Sequence, residues 1–124
     1  MSVSFQLRDA SDKLWNPASG VGRTYLGVAR LIEAEKSDLP ALDTWLNVWT
    51  SDDFYVDPIG LAVWLRAVLD SSVVEHTQYF RLTRGFLEIS LGMLFRAGGD
   101  MEAVNAEQAE VIAVGRELAR TLVR

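Results

Sequence analysis

Asp57-Pro-Ile-Gly-Leu-Ala-Val-Trp-Leu-Arg-Ala-Val-Leu69 is the stretch that decides the class of fold. An aspartate before a proline marks a helix start. The carboxylate accepts an orphan N–H of the first turn, and proline at the first helical position lacks a donor that the helix does not need. Leu61, Trp64, Leu65, Val68 and Leu69 follow at helical spacing on one face. The spacing predicts a helix over residues 58–70, with a strongly apolar side that other elements must cover.

Downstream, Ser72 and Glu75 have the spacing of a capping box, in which each side chain satisfies an N–H of the other end. A long helix over 73–97 follows, with Tyr79, Phe80, Phe86, Leu87 and Met93 on its apolar side. Gly98-Gly99 ends it, because glycine readily takes the left-handed conformation after a helix. Asp100 is placed to cap a last helix over 101–123, whose stripe includes Val104, Val111, Ile112, Leu118 and Leu122. Upstream, Asn16-Pro17 repeats the cap-plus-proline signal and opens a helix over 17–36 through Val21, Tyr25, Val28 and Ile32.

Residues 1–16 read differently. Val3, Phe5 and Leu7 alternate with Ser4 and Gln6, the period of a half-buried strand. Asp9-Ala-Ser-Asp12 is turn chemistry, and Lys13–Asn16 is a short return strand. Residues 41–57 carry both periods: Leu42, Trp45, Leu46 and Trp49 fit a helical stripe, while Trp45–Trp49 also alternates like a strand. Asp38 and Pro40 at the start of this segment favour a short helix. Phe54–Val56 reads as a short strand pairing with the N-terminal hairpin. The expected architecture is mainly α: one domain over 1–124, a bundle of about four helices with a small N-terminal β-hairpin.

The chain of 124 residues is 49% apolar and 23% charged, as expected of a folded domain and not of a disordered one. It has no cysteine and one histidine, His76, which excludes disulfides, thiolate zinc sites, cysteine catalysis and multi-histidine metal centres within one chain. The formal charge is −5, so no globally basic nucleic-acid footprint exists. The charge is uneven: between Lys36 and Arg66 lie five aspartates, Asp38, Asp43, Asp52, Asp53 and Asp57, and no base. Such a stretch attracts a basic partner, or is an ordinary solvated surface. The N-terminus lacks the basic-then-apolar pattern of a secretory signal, and no apolar run approaches a bilayer span, so a cytoplasmic location is expected.

The run Leu14-Trp-Asn-Pro-Ala-Ser-Gly-Val21 resembles the start of a family of small uncharacterised actinobacterial proteins, a domain of unknown function. Asp52-Asp53, then Val56-Asp57-Pro58, and Arg84-Gly-Phe-Leu87 extend the resemblance to about Gly99. Residues 39–50 and the last helix depart from it. The resemblance implies no activity and no catalytic residues.

His76 beside Glu75 has no partner fixed by spacing, so it reads as a surface or capping residue rather than a general base. Asp52, Asp53 and Asp57 do not match a calcium loop. Gly20, Gly22 and Arg23 lack the rest of a phosphate-binding motif. No catalytic, cofactor or metal residue is therefore expected. Gly85 and Gly92, seven apart on one helical face, are candidates for a close helix contact within the chain or across a homodimer; Gly20 and Gly27 are similarly spaced. Trp45, Trp49, Asp52, Asp53 and Tyr55 form the candidate interaction surface, with aromatic anchors inside an acidic rim. The expected function is a non-enzymatic protein-interaction or accessory module. Two alternatives stand beside it: a helical domain that binds a small molecule between its aromatics, and an immunity-type inhibitor of a basic toxin. Neither nucleic acid nor membrane is expected as a partner.

Overall fold

The alternation of Val3, Phe5 and Leu7 becomes strand β1 (Ser4–Gln6), and the return strand becomes β2 (Lys13–Trp15). They pair antiparallel, with Phe5 opposite Trp15 and a register irregularity beside it. The computed structural model describes residues 1–8, 12–71 and 77–122, so most of the turn expected at 9–12 lies outside the described residues. Among those described, the chain continues through α1 (Ser19–Glu35), a 3₁₀ turn (Leu42–Thr44), β3 (Leu46–Val48), β4 (Asp53–Val56), α2 (Pro58–Leu69), α3 (Thr77–Arg96) and α4 (Ala106–Leu118).

The hairpin is half of a four-stranded sheet, ordered β2-β1-β4-β3. β4 joins β1 in parallel, Phe5 opposite Phe54, as expected for a strand over 54–56 that meets the N-terminal hairpin. β3 pairs antiparallel with β4 on the outside. The short helix expected within 41–57 is corrected: only Leu42–Thr44 makes a helical turn, and the alternating period wins after it. Tertiary contacts decide this. Trp45 is fully buried and packs on Trp64 at 5.4 Å, and β4 offers Leu46–Val48 a complete ladder. Gly60 lets the turn sit directly on α2, since a Cβ there would run into the Thr44 carbonyl.

Asp57 caps α2 as expected: its carboxylate accepts from the Ile59 N–H at 3.2 Å, with Pro58 first in the helix. Asn16 does not cap α1. The N-terminal chain holds Pro17 and Ala18 extended, through Val3 N–H to the Pro17 carbonyl (3.0 Å) and a bridge between Ser2 and Ala18. The helix therefore starts at Ser19, and Asn16 accepts instead from the Ser4 hydroxyl at 3.3 Å. At the other end, Asn105 caps the last helix through the Gln108 N–H, and Asp100 serves Met101 and Arg116. Gly98, at φ 89°, ends α3 as read from the sequence. The Ser72–Glu75 capping box lies outside the described residues.

The core is organised by rings. Phe54, Phe5 and Trp15 stack in a row on the inner face of the sheet, with centroids 5.6 and 5.3 Å apart. Tyr25 of α1 meets Phe5 and Trp15 edge-on and stacks on Phe86 of α3 at 4.6 Å. Phe86 touches Trp64 of α2, which touches Trp45. The Tyr25 hydroxyl lies 2.6 Å from Ser90 Oγ. Because Ser90 donates its one proton to the Phe86 carbonyl, Tyr25 is the donor of that pair. Burial pushes the Tyr25 phenol well above its ordinary range, against the lowering effect of Ser90, so it stays protonated.

α4 lies on α3 through a glycine contact. A Cβ at Gly115 would sit 2.6 Å from Leu91 Cβ, and one at Gly92 would sit 2.9 Å from Leu122 Cδ1. A polar clamp fixes its start. Gln108, 1% exposed, accepts from Arg66 at 2.6 Å and donates to the Leu69 carbonyl at 3.1 Å, while Arg66 also grips Asp70 at 2.7 Å.

Gly115→Ala should destabilise by about 1–3 kcal/mol through overpacking, despite the better helix propensity of alanine. Gly27→Ala, in open space on α1, should stabilise by about 0.4–1 kcal/mol. Urea titration checks both signs. Acid should loosen the clamp. Hydrogen bonds from Arg66 hold Asp70, and one from Arg116 holds Asp100, below the usual carboxylate range. The folded state thus binds these protons less readily than the unfolded chain. Their stabilisation is complete above the ordinary aspartate value of about 3.9 and is lost as pH falls through the lower folded values. Melting temperature against pH should therefore fall less steeply below about pH 4 in Asp70→Asn than in wild type.

Candidate functional site

The outer face of the sheet carries the side chains that alternate away from the ring core: Gln6 of β1, Asn47 of β3 and Tyr55 of β4, in register across the three strands. Trp49, just past β3, stacks on Tyr55 with centroids 5.2 Å apart and planes 18° apart. Arg8, just past β1, holds its guanidinium carbon 4.9 Å from the Tyr55 centroid. Tyr55 is thus gripped from both neighbouring strands, by an indole on one side and a cation on the other.

The turn that presents Trp49 is tightly tied. The Trp49 and Thr50 N–H groups both donate to the Asp53 carbonyl, at 2.9 and 3.2 Å. The Thr50 hydroxyl donates to Asp53 Oδ2 at 2.6 Å, and Arg23 of α1 reaches Asp52 at 3.1 Å. Trp49 is 56% exposed on this braced hairpin. Beside the stack lies a groove of about 430 Å³, lined by Leu7, Arg8, Asn47, Tyr55, Asp57 and Pro58.

Of the residues expected at the interaction surface, the structure brings Trp49, Asp52, Asp53 and Tyr55 onto one hairpin. Trp45 is corrected: it points into the core against Trp64, because it closes the 3₁₀ turn that sits on α2, just before β3. Phe54 is buried too, on the inner face. Sequence reasoning missed Arg8 and Arg23. Arg8 continues the outward alternation of Ser4 and Gln6, but its meeting with Tyr55 depends on the parallel pairing of β1 with β4. Arg23 offsets Asp52, so the hairpin is less acidic than its local sequence.

The glycine pair divides. Gly92 is buried against α4 of the same chain, whereas Gly85 is exposed and a Cβ there would meet nothing within 4 Å. The expected close contact at Gly85 is therefore absent within the described residues of the chain: the last helix reaches Gly92 and leaves Gly85 open. His76 lies outside the described residues.

A second concavity runs between α1 and α3. It measures about 320 Å³ and is lined by Trp15, Val21, Tyr25, Val28, Phe86 and Ile89 among others. The hydroxyl of its Tyr25 is already bonded to Ser90. Among the described residues, no three His, Cys, Asp or Glu side chains are grouped to hold a metal, and no helix is long and apolar enough to cross a membrane.

The model of the Family of unknown function (DUF6086) matches residues 1–124, so the chain belongs to that family, and the match runs through α4. No curated protein and no solved structure matches the chain.

Of the four tryptophans, Trp15, Trp45 and Trp64 are buried and Trp49 is open. Acrylamide should therefore quench one fraction of the fluorescence readily and the remainder poorly. Trp49→Phe should abolish the readily quenched fraction; its survival in that variant would contradict the placement of the ring.

Proposed function

We propose that this family member is a non-enzymatic interaction module that docks a partner protein on the outer face of its sheet, around Trp49 and Tyr55. The observation that carries the reading is the state of Trp49. A large aromatic side chain is more than half exposed, yet it is stacked on Tyr55 and presented by a turn with several internal hydrogen bonds. A ring held in position loses little conformational freedom when a partner covers it, and buried tryptophan and tyrosine dominate binding energy at interfaces. The neighbouring groove supplies a place for a partner side chain, with the Asn47 amide and the Arg8 guanidinium at its edge.

The polar groups of the hairpin are engaged, Thr50 with Asp53 and Asp52 with Arg23 of α1, as suits a preformed recognition surface rather than a reactive one. Asp43, Asp52 and Asp53 favour a partner with basic groups, and Arg23 and Arg8 limit that preference to local pairing. An immunity-type inhibitor of a basic toxin is one narrower form of this reading. The second reading, a small apolar ligand between α1 and α3, draws on the groove of about 320 Å³ and its aromatic lining. Such a ligand would be held mainly by apolar contact, since the Tyr25 hydroxyl is paired with Ser90 and the Thr24 hydroxyl already donates to the Gly20 carbonyl.

The test compares baits in extracts of the cells that make the protein. Proteins retained by wild type should be lost with Trp49→Ala and kept with Leu82→Ala, an exposed residue on α3 well away from the hairpin in sequence. Asp52→Lys with Asp53→Lys should weaken retention and reduce its sensitivity to salt. Retention that ignores Trp49→Ala would sink the proposal. Retention lost instead with Val21→Asp, at the mouth of the α1–α3 groove, would move the site there.

A further inference from the structure

The two edges of the sheet are treated differently. On β2, the exposed Lys13 lies on the edge, the register against β1 is irregular, and Arg96 donates to the Lys13 carbonyl at 3.3 Å. These are the devices that keep a sheet edge from pairing. β3, the other edge, has none of them. Leu46-Asn47-Val48 carries no charge and no proline, and its register against β4 is regular. Val48 is 68% exposed there.

The hydrogen-bond phase of β3 says which groups are open. The Trp49 N–H donates to the Asp53 carbonyl, and the Asp57 N–H donates to the Trp45 carbonyl, at 2.9 and 2.8 Å. In an antiparallel ladder the bonded residues alternate, so Trp45, Asn47 and Trp49 direct their backbone groups toward β4. Leu46 and Val48 direct their N–H and C=O outward, at the edge.

We infer that β3 is a self-pairing edge: a second copy of this chain adds its own β3 antiparallel, about a two-fold axis at Asn47, and makes one continuous sheet. The strand is self-complementary in that register. Leu46 of one copy faces Val48 of the other, and these are the residues with outward backbone groups, so four N–H···O=C bonds form and no outward group on either strand is left over. On the inner face Leu46 and Val48 cover each other. On the outer face Asn47 meets Asn47 as a close side-chain pair, and the Asn47 side-chain amide already donates to the Asp43 carbonyl, leaving its oxygen as an acceptor. No charge on either β3 lies opposite a like charge. The inference shares Asn47 with the docking groove but rests on the backbone groups of the edge, so it does not depend on the docking reading. The joined sheet would carry two Trp49–Tyr55 platforms side by side.

Sedimentation equilibrium from about 1 µM to about 1 mM, a range that spans weak to moderate association, tests it. Wild type should rise toward twice the monomer mass with concentration. Val48→Pro removes an outward donor without touching the ladder to β4, and should stay at monomer mass throughout. Val48→Lys should do the same and serves if the proline variant does not fold. Amide exchange on wild type gives an independent reading: the Leu46 and Val48 amides should exchange freely when dilute and slow at least tenfold when concentrated, with Asn47 protected in both. Wild type at monomer mass up to the highest concentration would overturn the inference. So would a dimer unaffected by both Val48 variants, which would place the contact elsewhere, for example at the exposed Ile59 and Val63 of α2.

Discussion

The fold hangs on the ring of Tyr25. It touches Phe5 and Trp15 on the sheet and Phe86 on α3, and its hydroxyl is anchored to Ser90. One side chain therefore sets the distance between the sheet, α1 and α3. The hydrogen bond matters because a buried phenol with no acceptor carries a desolvation penalty of about 1–3 kcal/mol. The contact with Ser90 removes that penalty and fixes the direction of the ring. From Phe86 the packing continues to Trp64 and Trp45, whose indole N–H groups find no acceptor among the described residues. Shape and dispersion hold that pair, not polar contacts.

The outer face follows from this inner one. With Phe5 and Phe54 committed to the ring core, the strand alternation sends Gln6 and Tyr55 the other way. Trp45 is drawn inward by Trp64, and Trp49, on the same strand register but beyond the support of α2, is left outside. The core thus determines which tryptophan of the pair is available at the surface. Arg8 and Arg23 then decide the electrostatics of that surface, although neither lies in the acidic segment.

The helices were legible in the sequence where caps and periodicity agreed. Asp57-Pro58 with its stripe gave α2 nearly to the residue, and Gly98 marked the end of α3. Where a cap signal met a tertiary contact, the contact prevailed. Asn16-Pro17 looks like a helix start, yet the backbone of Met1 to Val3 holds Pro17 and Ala18 extended. Residues 42–49 show two periods at once, and only the neighbouring strand and Trp64 choose between them. The candidate surface was legible as a composition but not as a geometry. Trp45 and Trp49 are indistinguishable by residue type, and Arg8 reaches Tyr55 only through a pairing distant along the chain. Belonging to a family of unknown function adds the extent of the domain, the whole of 1–124, and no chemistry.

The place of β1 has a consequence for how the chain acquires its structure. It comes before the other strands of its sheet along the chain, yet it is an interior strand, with β2 on one side and β4 on the other. β2 arrives almost at once, but β4 comes only after α1 and the whole of β3. Until then Phe5 lacks Phe54, and one edge of the nascent hairpin has no neighbour. The parallel contact between β1 and β4 requires closure of a long loop, which is slow compared with forming a hairpin or a helix. The pairing that closes the sheet at its centre is therefore also its least local one, and in the folded state Tyr25 of α1 packs on both Phe5 and Trp15 beside it.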